Sequence, residues 1–165
     1  MPEPRVRVPR DRRADRGGAG PVSAPTGSTE VTGGRGVVLH EHRGAVSVVR
    51  LPADAPEPSW ARGGPLVSVT RSTEELSVVC PTLAVPEQLP GPVQGPYAAY
   101  EVAGPTDSAL TGVLAGLLRP LADGGISVFA VSTFATDWVL VPASSTAPAR
   151  AAWRAAGHEV EVLAA

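Results

Sequence analysis

Apolar and polar positions alternate in two different rhythms along this chain. From Leu110 to Leu121 the spacing is helical. Leu110, Val113, Leu114, Leu117, Leu118 and Leu121 recur at i, i+3, i+4, i+7, i+8 and i+11, one apolar face at a period near 3.6. Gly124 and Gly125 end that helix, since glycine takes the left-handed cap at little cost, and Pro120 falls in its last turn. The rhythm then shortens. Ile126 to Ser132 and Trp138 to Val141 are short runs rich in β-formers, separated by the polar break Thr133 to Thr136 around Phe134, with Asp137 opening the second run and Pro142 closing it.

The same reading along the rest of the chain predicts strands over 37–40, 45–51, 66–70, 75–80, 97–103 and 158–163, with a turn at Glu41 to Gly44. A second helix is predicted from about Ala147 to Ala156, with Thr146 as N-cap, Pro148 in the first turn and Gly157 as the stop. Thr106, Asp107 or Ser108 caps the first helix. Residues 52–65 and 81–96 read as Pro-rich connections. Residues 1–36 mix Arg, Pro, Gly, Ser and Thr without periodicity, and such a segment cannot bury enough surface to offset its conformational entropy, so it is expected to be disordered.

Two segments share a plan. Leu66 to Pro81 and Ile126 to Pro142 each run apolar strand, Ser-Thr, acid, apolar strand, Pro, about sixty residues apart, with Ser72-Thr73 answering Ser132-Thr133. The second copy is complete. Strand, helix, strand, strand, helix, strand over 97–163 is the ferredoxin-like βαββαβ order, an antiparallel four-stranded sheet with two helices on one face. The first copy keeps its strands and lacks most of its first helix. The expected fold is therefore α+β, with a tail (1–36), a truncated module plus Pro-rich connection (37–96) and a complete module (97–165).

Composition narrows the function. The chain of 165 residues is 43% hydrophobic and carries a net charge of −2, with no Lys and no Asn. Arginine exceeds acid in residues 1–36, and the remainder is acidic, which opposes nucleic-acid binding. Cys80 is the lone cysteine and reads as a small buried hydrophobe in a reducing compartment. No apolar run is long enough to span a bilayer and no secretory signal is present, so the expectation is a cytoplasmic protein without membrane association. His40 and His42 would share one strand face, but no Cys or acid with ligand spacing completes a metal site, and no cofactor motif appears.

Three phrases carry a family resemblance: Arg71-Ser72-Thr73-Glu74-Glu75-Leu76-Ser77-Val78-Val79-Cys80, Leu110-Thr111-Gly112-Val113-Leu114, and the long run from Leu121 to Val141. In these the chain resembles tandem ACT-domain proteins, of the group related to aspartate-kinase regulatory domains and cytosolic arginine sensors. The resemblance covers residues 37–165. It implies a small-molecule sensor, for an amino acid, with the ligand held where two ACT modules meet, and homodimers formed through those modules. Carried over by position, it selects Asp107, Val113, Leu114, Thr133, Phe134, Ala135, Thr136 and Asp137, with Ser77 and Val78 from the first module. Chemically, free N–H groups at a helix start suit a carboxylate, and Asp137 suits an ammonium. Relatives carry Asp-Phe ahead of the helix where this chain has Asp107-Ser108.

Other readings predict differently. A purely structural, dimerising module binds nothing. An acylphosphatase needs an Arg cradle and a side-chain amide, in its usual form Asn, which this chain lacks. An RNA-binding sheet needs surface aromatics, and the strands offer chiefly Tyr100 and Phe129. No nucleophile elbow, phosphate loop or paired carboxylates appear, so no enzyme activity is expected.

Overall fold

A computed structural model describes residues 36–89, 91–103 and 112–164. Seven strands and two helices follow in the order β1 (Val38–Pro52), β2 (Ser68–Arg71), β3 (Glu75–Pro81), β4 (Val93–Val102), α1 (Val113–Asp123), β5 (Phe129–Ser132), β6 (Asp137–Pro142), α2 (Thr146–Ala155) and β7 (Glu159–Val162). This is the α+β class expected, with both helices in the C-terminal half. The expected disordered tail at 1–36 lies outside the described residues except for Gly36.

All strands join one sheet in the order β2-β3-β1-β4-β6-β5, with β7 also paired to β1. The centre is the antiparallel pair of β1 and β4, and the two halves match about it. Each position of the β2–β3 hairpin corresponds to the one 61 residues later in β5–β6, as with Ser68 and Phe129 or Val79 and Leu140. Along the central strands the shift is 51, and the dyad-related pair Val46 and Tyr97 face each other. Both central strands carry a bulge at matching glycines, Gly44 with φ 83° and Gly95 with φ 125°, a backbone region that side chains with a Cβ avoid. The repeat therefore has a phase one residue different from the Ser-Thr alignment. Ser72 answers Thr133, and each opens the same turn, with Ser72 N donating to Glu75 O at 2.9 Å and Thr133 N to Thr136 O at 2.9 Å.

Two further differences concern β1. The turn expected at Glu41–Gly44 is a bulge inside one continuous strand, because β4 pairs with β1 on both sides of it. Its first segment, Val38–Glu41, also lies between β4 and β7, paired antiparallel to one and parallel to the other. The C-terminal half thus has five strands across rather than four.

The C-terminal ends of both helices follow the sequence, whereas α1 begins at Val113 with Gly112 (φ 86°) as its N-cap, and the expected caps Thr106, Asp107 and Ser108 lie outside the described residues. Gly125 at φ 68° closes α1, with Ile126 N donating to Leu121 O (2.9 Å) and Gly125 N to Ala122 O (3.0 Å). Gly157 at φ 87° closes α2 in the same way through His158 N and Trp153 O (2.9 Å). Thr146 is the first helical residue rather than the cap, and its hydroxyl donates to Ala143 O at 2.9 Å.

The helices cover one face of the C-terminal half. Leu117 and Leu121 from α1 and Ala149 and Trp153 from α2 pack on Leu39, Tyr100, Val102, Val139 and Val141, all buried. Trp153 meets Tyr100 edge to face at 4.7 Å, and its Nε1 donates to Leu117 O at 2.9 Å, joining α2 to α1. In the N-terminal half the connections after β1 and after β3 take the helices' place. Trp60, Ala61, Val85 and Leu89 pack on Val49, Leu51, Leu76, Val78 and Cys80. Burial holds the Cys80 thiol pKa above its usual value, consistent with a packing role.

At the rim of the helix-covered core, Arg150 of α2 pairs with Glu41 of β1 through two hydrogen bonds, Nε to Oε2 at 2.6 Å and Nη2 to Oε1. Glu41 is 8% exposed. The neighbouring Tyr100 hydroxyl is fully buried and finds no hydrogen-bond partner among the described residues. Burial first, and the Glu41 charge second, push its phenol from 10.0 up to about 12. The fold thus favours the neutral phenol while the unfolded chain ionises earlier. Stability should fall as pH rises from about 10 to about 12, read as a falling urea midpoint that the Tyr100→Phe protein does not show. Trp153→Ala should cost about 3–5 kcal/mol in the same urea titration, since it empties the core between the helices.

Candidate functional site

The two matching hairpin turns lie at opposite ends of the sheet, because β1 and β4 are antiparallel. The β5–β6 turn sits where β4 ends. Thr133 Oγ1 donates to Thr136 O at 3.0 Å and accepts from Thr136 N at 3.1 Å, which closes the turn. Thr136 Oγ1 donates to Val102 O at 2.7 Å, fastening the turn to the last residue of β4. Phe134 and Ala135 form the exposed tip.

Asp137 follows as the first residue of β6, half-buried and paired across the hairpin with Ser132, whose Oγ donates to Asp137 Oδ1 at 2.6 Å. Two residues on, Val139 belongs to the helix-covered core, so Asp137 faces the helix layer as well. Val113 and Leu114, in the first turn of α1, pack partly buried against the same core, which also contains Val102. The structure therefore places Val113, Leu114 and Asp137 on the helix-covered side of the sheet, with the turn Thr133 to Thr136 at the end of β4. Asp107 lies outside the described residues.

Ser77 and Val78 are placed elsewhere. They lie in β3, level with Arg50 and Val49, whereas Val102 is level with Leu39. That is about 30 Å along the sheet from the acid-tipped turn. They also point to opposite faces. Val78 is fully buried in the N-terminal core, and Ser77 is half-buried on the face away from the helices.

The internal match makes Asp137 stand out. Its counterpart in the first half is Leu76, which is fully buried among Trp60, Ala61, Val78 and Cys80. The same strand position, facing the same side, is thus a core leucine in one half and a carboxylate in the other. A carboxylate keeps such a place only with partners for its charge. Ser132 supplies one.

Three contacts lie beyond sequence reasoning. Ser132 was legible in the hairpin mouth, but its hydrogen bond to Asp137 depends on the β5–β6 register. The Glu41–Arg150 pair spans 109 positions and leaves no local trace. On the helix-free face, His42 accepts or donates at 2.8 Å with Glu101 and lies 4.9 Å from the Trp138 ring. Among the described residues no group of His, Cys, Asp and Glu has the geometry to hold a metal ion. A hollow of about 260 Å3 lined by Gly95, Pro96, Tyr97, Pro142, Ala143 and Ser144 lies at the other end of β6 from Asp137, so it is separate from this turn.

An ACT-domain family profile matches residues 93–152, and a second profile, described only as an N-terminal domain, matches residues 44–88. Among curated proteins, none matches. The crystal structure of protein Atu0741 from Agrobacterium tumefaciens is similar at 31% identity and a TM-score of 0.73, over 80% of this chain and 97% of that one. The aspartate kinase of Clostridium acetobutylicum shares the fold at 10% identity and a TM-score of 0.52, over 72% of this chain and 34% of the kinase. The regulatory subunit of aspartate kinase from Thermus flavus shares it at 14% identity and a TM-score of 0.50, over 74% and 97%.

If Asp137 is kept for a ligand rather than for the fold, leucine should be tolerated there as it is at 76. Asp137→Leu should leave the urea unfolding free energy unchanged or raised, within about 1 kcal/mol. With two sheet halves matched residue for residue, and with Atu0741 alike along nearly its whole length, the chain belongs to the ACT-domain family as a tandem member, structurally related to the regulatory domains of aspartate kinases.

Proposed function

We propose that this chain is a non-catalytic regulatory protein that binds a small molecule, an amino acid, beside the β5–β6 turn, and that it works as a homodimer. One observation carries the proposal: Asp137 occupies the place of the buried Leu76 and bears a charge there. A carboxylate held by the Ser132 hydroxyl beside a turn closed by Thr133 and Thr136 suits an ammonium group, and charge-assisted hydrogen bonds of this kind are about twice as strong as neutral ones. The first turn of α1, at Val113 and Leu114, offers N–H groups to the carboxylate end of the same ligand. Phe134 and Ala135 form its outer lip, and the family resemblance adds Asp107. In this reading residues 97–165 are the complete module and residues 37–96 the trimmed one. Ser77 and Val78, about 30 Å away within one chain, reach a ligand only from a second copy.

The buried, unpaired Cys80 fits a reducing compartment, the cytoplasm. No helix among the described residues is long and apolar enough to cross a membrane.

The test is a thermal-shift screen of the twenty amino acids followed by calorimetry. A ligand present at 100 times its Kd should stabilise the protein by about 2.7 kcal/mol, and Asp137→Leu should abolish that gain while folding normally. No shift with any amino acid at millimolar concentration would overturn the proposal.

A further inference from the structure

The internal match that sets Asp137 against Leu76 also sets Ser132 against Arg71. Each pair lies directly across its hairpin, Arg71 with Leu76 and Ser132 with Asp137. Both members differ together between the halves. In the N-terminal half a long cation stands across from a buried hydrocarbon. In the C-terminal half a short hydroxyl stands across from a carboxylate.

The cation of the first pair is engaged within the chain. Arg71 Nη1 donates to Ala53 O and Nη2 to Ala55 O at 2.9 Å, in the connection that leaves the central strand β1. Its guanidinium thus occupies the mouth of the β2–β3 hairpin, beside a core on which Ala55 and Leu76 both pack. A serine is too short to do the same. The Ser132 hydroxyl reaches across its own hairpin, and Oγ donates to Asp137 Oδ1 at 2.6 Å, in the short range of hydrogen bonds to an ionised oxygen. A hydroxyl has one proton to give, so it engages one carboxylate oxygen and leaves Oδ2 to a donor from elsewhere. It also fixes the carboxylate plane, which otherwise turns about a broad, two-fold torsion.

We infer that Ser132 is a positioning residue of the amino-acid site. Its hydroxyl holds the Asp137 carboxylate with Oδ2 presented to the ligand's ammonium group, and its small size keeps open an approach that the first half fills with its own cation. This rests on the reading above and adds the residue that orients the acid. A carboxylate aimed in advance spares the ligand the cost of ordering it, so losing the hydroxyl weakens binding. The fold is indifferent to the change, because Ser132 is exposed and lies outside the core.

Calorimetric titration of the full chain with each of the twenty amino acids tests this. Those that bind the unmodified protein should bind Ser132→Ala about tenfold more weakly, the loss typical of one hydrogen bond to a charged group, with circular dichroism unchanged. Ser132→Thr keeps the hydroxyl and suits a strand, and should bind them within about threefold of the unmodified protein. Ser132→Arg gives this half the cation of its counterpart. It should fold, withstand urea at least as well as the unmodified protein and bind none of them. Undiminished binding by Ser132→Ala or by Ser132→Arg, or an equal loss in Ser132→Thr and Ser132→Ala, would overturn the role of Ser132 and leave the amino-acid reading standing. An unmodified protein that binds none of the twenty would overturn that reading, and this role with it.

Discussion

The antiparallel pairing of β1 with β4, creased by a glycine bulge on each strand, is the constraint on which the molecule rests. It sets both hairpins on opposite flanks of one sheet, pointing opposite ways. The bulges at Gly44 and Gly95 absorb the residues by which the two strands differ in length between pairing blocks, so register is kept on either side of the centre. A slip of one residue here would turn Leu39, Tyr100, Val49 and Leu51 from the covered face to the other. That penalty makes the pairing specific although each individual hydrogen bond in it is weak.

From this symmetric frame the two halves have diverged by how they cover the same face. The C-terminal half uses two helices, locked through Trp153, and keeps a polar rim of Arg150, Glu41, Ser132 and Asp137. The N-terminal half has no helix between β1 and β2, yet it retains the Gly63-Gly64 pair with φ of 73° and 69°, 61 residues before Gly124-Gly125. The chain there still makes the exit into the second strand, with Trp60 packed on the N-terminal core as Leu121 is on the C-terminal one. Covering by loop leaves no helix start next to the first turn and lets a leucine take the acid's place. One half is therefore built for packing, and the other retains polar groups at the edge of its core.

What the sequence disclosed followed local periodicity. The helical spacing of Val113 to Leu121, the Gly-Gly stop, the two hairpins and the repeat between them all depend on neighbours within a few positions, and family resemblance named the fold. The unreadable parts were long-range. Nothing local says that Val38–Glu41 lies between β4 and β7, because a strand's sequence records which face is buried and not which strands flank it. The polar stretch Glu41-His42-Arg43-Gly44 has a turn's composition, and only the pairing of β4 on both sides makes it a bulge. The site was legible in part for the same reason: the turn residues Thr133 to Asp137 are contiguous, whereas the distance from Ser77 and the contrast between Asp137 and Leu76 become visible only in the register of the sheet.

The parallel pairing of β7 with β1 has a consequence for how the chain is assembled. Val37 and His158, 121 positions apart, are joined there, and Leu39 enters the core only between the strands so brought together. On a ribosome the first strand would emerge long before the last, and its inner segment would wait with one flank bare. Loop closure over so many residues is entropically slow, so acquisition of the complete sheet must be a late, whole-chain event rather than the stepwise growth of two self-sufficient units.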